Sequence, residues 1–197
     1  MTDSTAGQRE QYYAQDRHQW RRWLEEHHAT SPGIWLIAYK QQTARPSVSY
    51  SDAVEEALCF GWVDSRPNVL DEERYIRLFS PRNPKSSWSR LNKQRVEKLI
   101  AQGLMAAAGF KAIEEAKRNG AWNSYDAIED LTLPADLDNA LRANPTAHQY
   151  FHAFSPSVKK SILWWIESAK RTETRKKRIE ETTRLAAMNI KANQYRQ

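Results

Sequence analysis

The sequence predicts an α+β fold, in which a small antiparallel or mixed sheet is flanked by helices and followed by an α-helical C-terminal subdomain. Three observations indicate this class. The run Ile34 to Tyr39 is rich in β-forming residues and too short for a core helix, so it reads as a strand buried on both faces. Residues 62–66 and 74–79 read as two more strands, joined by an acidic turn, and predict an antiparallel hairpin. After Pro134, apolar residues recur at helical spacing.

The chain divides into three segments by pattern. Residues 1–16 carry no periodicity, so we expect a loose N-terminal tail there. Residues 17–125 are assigned to the α+β domain, and residues 126–197 to the α-helical subdomain. Helices are predicted over residues 17–28, 52–60, 87–102, 106–118, 134–143, 145–154 and 156–169, with a last helix from residue 172.

Short polar side chains mark where two of these helices begin. Ser51 or Asp52 is placed to cap the second helix, and Glu55 is placed to reach back as the capping-box partner of Asp52. Ser87 or Ser89 is placed to cap the helix that reaches residue 102.

The composition is typical of a folded protein from a reducing compartment. Apolar residues make up 40% of the chain and eight residues are tryptophan, which is enough to build a buried core. Cys59 is the single cysteine, so an internal disulfide is excluded. The first 17 residues lack the apolar stretch of a signal peptide, and the longest apolar run is far too short to span a bilayer. We therefore expect a cytoplasmic protein without a membrane span.

Positive charge is concentrated in two clusters. The formal net charge is +6, which favours anionic partners where the basic residues lie together. The first cluster contains Arg77, Arg82, Lys85, Arg90, Lys93, Arg95 and Lys98, with Glu97 as its one acid. The second cluster contains Lys170, Arg171, Arg175, Lys176, Lys177 and Arg178.

The predicted hairpin gives the main candidate site. Alternate residues of a strand share a face, which groups side chains as Trp62, Asp64 and Arg66 on the first strand and Tyr75, Arg77 and Phe79 on the second. If the two groups share a face, a carboxylate, two guanidinium groups and three rings converge beside the loop 81–88. Arginine offers paired donors to oxyanions and rings offer stacking area, so this surface suits an anion or a phosphate-bearing ligand.

The loop after the hairpin extends this candidate surface. It adds Arg82, Lys85 and several hydroxyl groups, and the helix that follows presents its N-terminal amides nearby. A structural interpretation stays open: Asp64 pairs with an arginine only to satisfy a polar strand residue, and the rings belong to the core.

Other candidate sites have simpler explanations. Cys59 lies between Leu58 and Phe60 with no base nearby in the sequence, so we interpret it as an inert buried thiol. His148 and His152 have a spacing that suits one metal ion, but the glutamate of the zincin motif is missing. Nucleotide-binding glycine loops, the hydrolase nucleophile motif and zinc-finger spacings are absent from the sequence. We assign no catalytic residue, no cofactor and no metal site.

Several motifs resemble the bacterial YdeI/OmpD-associated, or bacteriocin-protection, family. The residues that carry the resemblance lie at 33–36, 49–65, 79–82, 88–93, 103–105 and 155–187, which together extend over nearly all of the chain after the tail. The family name implies a link to protection against bacteriocins and to an outer-membrane porin, and it implies no established catalytic residues. Because this chain shows no export signal, we do not expect direct contact with a porin. The resemblance marks Asp64, Ser65, Arg66, Arg82, Trp88 and Asn92 as motif positions.

Pattern and resemblance together predict a binding protein. We expect a non-enzymatic or weakly catalytic protein of bacteriocin tolerance or envelope stress, which binds an anionic small molecule or a protein partner. Its predicted ligand-binding residues are Trp62, Asp64, Ser65, Arg66, Arg77, Arg82, Lys85, Trp88 and Asn92.

Two alternatives remain open. One is an enzyme that acts on a phosphorylated or carboxylated metabolite at the same surface. The other is a nucleic-acid-binding protein that uses the two basic clusters. We do not expect nucleic acid as the partner, because helix ends are a common place for solvated lysine and arginine.

Overall fold

A computed structural model of the protein describes residues 9–193. The chain forms two compact units, which divide between Ser124 and Tyr125 and which we call the N-terminal and C-terminal units. The N-terminal unit contains a mixed four-stranded sheet with helices, and the C-terminal unit is helical. The predicted α+β fold class is therefore confirmed.

The sheet has the strand order β1-β2-β4-β3. Strands β1 and β2 are parallel, whereas β4 is antiparallel to both of its neighbours. The elements of the N-terminal unit are β1 (Gln11–Tyr13), α1 (Arg17–His27), β2 (Ile34–Tyr39), α2 (Tyr50–Cys59), β3 (Trp62–Val69), β4 (Arg74–Pro81), α3 (Arg90–Ala101) and α4 (Ala107–Arg118). The predicted hairpin forms from β3 and β4.

Strand β1 lies within the segment that the sequence assigns to a loose tail. It pairs with β2 so that Tyr12 lies beside Leu36. Three residues are too few to show a period-two pattern, and a distant pairing, which no local sequence signal encodes, decides their conformation. Residues 1–8 of the predicted tail lie outside the described residues.

The two faces of the sheet differ in burial, which corrects the prediction that β2 is buried on both faces. Ile34 and Leu36 are fully buried, whereas Trp35 and Ile37, on the opposite face, are partly exposed. The buried face lies against α1, because the ring of Trp20 contacts Phe79, the neighbour of Ile34 on β4, at 5.3 Å between centroids.

Helix α2 begins earlier than the capping pattern predicts. Its N-cap is Ser49, whose hydroxyl accepts from the amide of Asp52 at 3.1 Å and donates to the Asp52 carboxylate at 2.7 Å. Ser49 and Asp52 therefore form the capping pair. Glu55 takes no part in it and instead accepts a hydrogen bond from Arg17 at 2.9 Å.

Two glycines allow α4 to pack closely on the end of α2. Gly61 has a positive φ of 72°, and a Cβ there would lie 3.0 Å from the carbonyl oxygen of Ala108. A Cβ on Gly109 would overlap the carbonyl oxygen of Cys59. The backbone amide of Ala106 also donates to that carbonyl at 3.1 Å. These contacts fix the position of α4, which forms one wall of the candidate site described below.

The C-terminal unit has its own core, to which Leu137, Phe151 and Ile162 contribute. Its helices are α5 (Asp126–Glu129), α6 (Ala135–Arg142), α7 (Pro145–Ala153), α8 (Pro156–Glu167) and α9 (Thr172–Ala186). Among the described residues, no helix is both long enough and apolar enough to cross a membrane.

Candidate functional site

The register of the β3–β4 hairpin decides which predicted site residues meet. Asp64 lies opposite Phe79, so Asp64 shares a face with Phe79 and with Arg77, as predicted. A register shift between Asp64 and Pro67 then places Pro67 rather than Arg66 opposite Arg77. The prediction that Arg66 joins this face is wrong, because a bulge inserts one extra residue and reverses the alternation beyond it. Arg66 is exposed.

Asp64 and Arg77 form an ion pair that is completed by Tyr50 of α2. Arg77 Nη1 lies 2.8 Å from Asp64 Oδ2 and donates a second hydrogen bond, of 2.6 Å, to the carbonyl oxygen of Ser65. The Tyr50 hydroxyl donates to the same carboxylate oxygen at 3.1 Å, and the Arg77 guanidinium lies 4.2 Å from the Tyr50 ring centre. We call Tyr50, Asp64 and Arg77 the Asp64 cluster. The charges of Asp64 and Arg77 neutralise one another, and Arg77 Nε is buried without a hydrogen-bond partner within residues 9–193.

Electrostatics within the Asp64 cluster oppose ionisation of the tyrosine. Burial, and then the neighbouring Asp64 carboxylate, raise the pKa of Tyr50 above its ordinary value, while Arg77 and Arg95 act in the opposite direction. Tyr50 therefore stays a hydrogen-bond donor at neutral pH, which keeps the Asp64 carboxylate paired.

The loop between β4 and α3 is held at several points. The amide of Arg82 donates to the carbonyl of Gly61 at 3.0 Å. Asn119, at the end of α4, donates to the carbonyl of Pro84 at 2.9 Å, and Ser124 donates to the hydroxyl of Ser87 at the same distance. These bonds come from residues distant in sequence, so tertiary contacts hold the loop in one conformation.

A cavity of about 440 Å³ lies between this loop and helix α4. We call it the Arg82 cavity. Its wall consists of Pro81, Arg82, Pro84 and Trp88 from the strand end and the loop, and Ala108, Lys111, Ala112 and Glu115 from α4. The α4 residues follow the spacing of one helix face. The volume is within the usual range for small-molecule sites.

Arg82 is the most unusual charged residue of this wall. Its Nη2 donates to the carbonyl of Ser87, but its Nε and Nη1 atoms are buried and have no hydrogen-bond partner among the described residues. The guanidinium carbon lies 3.9 Å from the centre of the Trp88 ring. Burial lowers the pKa of Arg82 to about 10, and the negative charge of Asp64 only partly opposes this effect. Arg82 is therefore a charged group at neutral pH that has no ion-pair partner among residues 9–193.

Trp88 adds a second unsatisfied donor to the same wall. Its ring is almost fully buried, and its Nε1 has no hydrogen-bond partner in the described part of the chain. Trp122 packs on it at 5.0 Å between ring centroids, and the ammonium group of Lys117 lies 5.3 Å from the Trp122 ring. An unpaired N–H in a buried position is uncommon, because losing its partner costs about 1 to 3 kcal/mol.

The remaining predicted site residues have structural or solvent-exposed positions. Trp62 belongs to the core, where its Nε1 donates to the carbonyl of His28 at 3.2 Å. Ser65 and Lys85 are exposed. Asn92 lies in the first turn of α3, where its side chain accepts from Arg95 at 3.2 Å. Of the nine predicted residues, Arg82 and Trp88 line the cavity.

Sequence reasoning missed the half of the cavity that α4 supplies. Lys111 and Glu115 come from a helix with no distinctive motif, and they meet the loop only through tertiary packing. The spacing of Ala108, Lys111, Ala112 and Glu115 is a usable signal, because it places two small residues and two charges on one helix face. Tyr50 was also missed as a partner of Asp64.

The other sequence candidates fall outside this site. Cys59 is fully buried, and burial raises its pKa to about 11, in keeping with an inert thiol. The rings of His148 and His152 lie 4.3 Å apart on α7, but no group of three or more metal-binding side chains occurs within residues 9–193. In the second basic cluster, Arg175 is paired with Asp136 at 2.6 Å.

Two family models match the chain, one within the N-terminal unit and one within the C-terminal unit. Residues 12–112 match the model of a Domain of unknown function (DUF8412), and residues 130–189 match that of the family Bacteriocin-protection, YdeI or OmpD-Associated. No curated protein and no solved structure matches the chain. The resemblance seen in the sequence is thus confirmed at its helical end, whereas the motifs around the hairpin lie within the first match. The chain therefore belongs to the DUF8412 family, whose model covers just over half of its 197 residues, and its residues 130–189 are similar to the YdeI/OmpD-associated family.

Proposed function

We propose that the N-terminal unit binds an anionic small ligand in the Arg82 cavity. The observation that carries this proposal is the Arg82 guanidinium, which lines the cavity with two buried nitrogens that have no partner within residues 9–193. A buried charge without a partner destabilises a fold, so its presence beside an open cavity favours a ligand that supplies the missing charge.

A comparison of Arg82 with Arg77, the other arginine of the hairpin region, supports the proposal that Arg82 binds the ligand. Arg77 has Asp64 as its counterion at 2.8 Å, whereas Arg82 donates its one hydrogen bond to a neutral carbonyl. Each guanidinium keeps a buried Nε without a partner within residues 9–193, so the feature that distinguishes Arg82 is that it has no carboxylate beside it. A carboxylate or another oxyanion accepts two parallel N–H bonds from such a group.

Trp88 adds a further donor and an apolar surface to the proposed ligand site. Its indole N–H is unpartnered within residues 9–193, and its ring supports the Arg82 guanidinium from one side. Because the free nitrogens of Arg82 are buried, binding requires a small movement of that side chain. The movement breaks one hydrogen bond, to Ser87, which the ligand replaces.

We place this binding activity in bacteriocin protection or envelope stress. The support is the match of residues 130–189 to the family Bacteriocin-protection, YdeI or OmpD-Associated. A strain that carries Arg82→Met in place of the wild type should lose tolerance to a bacteriocin while keeping a normal level of the protein. Unchanged survival at equal protein level would refute the physiological part of the proposal.

A direct test follows the indole N–H signals of the protein by nuclear magnetic resonance during titration with acetate, benzoate and inorganic phosphate. We expect at least one of these anions to shift the Trp88 signal in a saturable way, and the shift to be absent in Arg82→Met. The matched control is Arg45→Met, because Arg45 also lies over an aromatic ring, at 5.0 Å from the centre of Tyr39, but outside the cavity. The control should bind like the wild type.

The proposal fails if none of the three anions shifts the Trp88 signal at millimolar concentration. It also fails if Arg82→Met binds as well as the wild type, since another group would then hold the ligand.

A further inference from the structure

We infer that the Arg82 cavity selects a carboxylate with a single negative charge and an apolar body, in preference to inorganic phosphate or a phosphate ester. This inference rests on the proposed function and names the ligand class of the same site. Three features of the wall carry it: its apolar surface, its net charge and its volume.

Most of the wall is apolar. Five of the eight lining residues have no charged or amide group, namely Pro81, Pro84, Trp88, Ala108 and Ala112. Small ligands gain affinity in such a site by removing their own apolar surface from water, at about 25 cal/mol for each Å². An inorganic oxyanion has no apolar surface to bury, so it leaves these walls unused.

The charged residues of the wall sum to one positive charge. Arg82 and Lys111 each contribute +1 and Glu115 contributes −1, which gives +1 in total. Glu115 is itself paired with Arg118, a residue outside the cavity wall. A monoanion matches the summed charge of the lining residues, whereas a dianion exceeds it and is repelled by the Glu115 carboxylate, which the largely exposed Arg118 offsets only in part.

The volume exceeds the need of an inorganic anion. The cavity measures about 440 Å³, which is more than ten times the roughly 30 Å³ that one water molecule takes up in the liquid. A carboxylate group at Arg82 therefore leaves room for an attached chain or ring against Trp88 and the alanines of α4.

The test is isothermal titration calorimetry of the full chain with four probes: acetate, hexanoate, hexanamide and hexyl phosphate. Hexanoate and acetate share one head group, so their comparison isolates the apolar body. We expect hexanoate to bind at least about tenfold more tightly than acetate, since each buried methylene adds to affinity. Hexanamide, which lacks the charge, and hexyl phosphate, measured where it is a dianion, should each bind more weakly than hexanoate.

The role of Glu115 is tested by Glu115→Gln, which removes the negative charge and keeps the shape. This variant should narrow the gap between hexanoate and hexyl phosphate by several fold. The matched control is Glu114→Gln, which makes the same change at an exposed position on α4 outside the cavity wall. The control should keep the wild-type preference.

The outcomes separate the inference from the proposed function. If acetate, hexanoate and hexyl phosphate bind equally well and all depend on Arg82, the anion site stands and the inferred ligand class is wrong. If hexyl phosphate binds more tightly than hexanoate, the inference is also overturned. If no probe binds, the proposed function itself fails.

Discussion

The N-terminal unit contains partly buried arginines with carboxylate partners and one buried arginine without such a partner in the described chain. The paired arginines are Arg17 and Arg21 of α1, whose partners are Glu55 and Glu56 of α2. We call these four residues the α1–α2 ion network. The other arginine is Arg82, which has no carboxylate partner at all within the described chain. The comparison separates arginines that are paired within the fold from one for which we propose a ligand.

The α1–α2 ion network pairs its charges closely. Arg21 lies 2.7 Å from Glu56, and Arg17 lies 2.9 Å from Glu55. Burial alone lowers the pKa of Arg17, but the hydrogen bond and charge of Glu56, followed by those of Glu55, raise it above its ordinary value. One nitrogen, Arg17 Nη2, still has no partner within residues 9–193. The network as a whole nonetheless favours the charged form.

At Arg82 the effect of burial on the pKa outweighs that of the negative neighbour, whereas at Arg17 the negative neighbours prevail. Burial lowers the pKa of Arg82 to about 10, because only the more distant Asp64 opposes it. Within the described chain this charge is supported by the Ser87 carbonyl, the Trp88 ring and Asp64, but by no ion pair, which is in keeping with the binding role that we propose. Each prediction below tests a different side of this contrast.

The largest effect is expected at Glu56, whose side chain is 2% exposed and bonded to both Arg17 and Arg21. Glu56→Gln leaves two arginines without their common counterion, so the free energy of unfolding should fall by about 3 kcal/mol. Urea denaturation measures the change. The control is Glu25→Gln, which removes the exposed partner of Arg21 and should cost less than about 1 kcal/mol. Equal losses in the two variants would remove the distinction between buried and exposed partners.

A smaller loss is expected in the Asp64 cluster, where both charged side chains are partly exposed. Asp64→Asn should lower the free energy of unfolding by about 2 kcal/mol, because Arg77 loses its counterion and Tyr50 loses its acceptor. Tyr50→Phe removes only the hydroxyl and should cost about half as much. If Asp64→Asn left stability unchanged, Arg77 would belong with Arg82 as a second free cation.

The smallest effect is a pH dependence that arises from Arg82. The pKa of Arg82 in the folded protein, about 10, lies below the ordinary value that it has in the unfolded chain. As pH rises above 10, the folded state loses this proton while the unfolded state keeps it, so the folded state gains stability. We therefore compare the free energies of unfolding of the wild type and of Arg82→Met at one pH unit below and one pH unit above that pKa. The wild-type value should rise by about 1 kcal/mol relative to that of the variant. Urea denaturation of both proteins at the two pH values measures this change. If the difference in free energy of unfolding between them were the same at both pH values, the lowered pKa would be contradicted.

The sequence predicted those parts of the site that depend on local geometry. Alternation along a strand has a fixed period, so it correctly placed Asp64, Arg77 and Phe79 on one face. The bulge after Asp64 was not predictable from alternation, because an inserted residue reverses the faces without a signature of its own, and Arg66 was misplaced as a result.

The parts that depend on distant packing were not predictable in the same way. Lys111 and Glu115 line the cavity because α4 packs closely on the end of α2. Gly61 and Gly109 permit this close packing, but a single glycine in a sequence does not indicate which element packs against it. The Ser49 cap was missed for a similar reason: Ser49, Ser51 and Asp52 all have suitable side chains, and only the start of the helix in the fold selects among them.

The most direct test of the contrast measures stability and binding together in Arg82→Met. Urea denaturation of wild type and variant is carried out at neutral pH, with and without a saturating concentration of hexanoate. Without hexanoate, the variant should be as stable as the wild type or more stable by up to about 1 kcal/mol, since replacing an unpaired buried charge by an apolar side chain is favourable. With hexanoate, only the wild type should gain stability. A variant that is less stable than the wild type without hexanoate, and that gains as much as the wild type with it, would contradict the account.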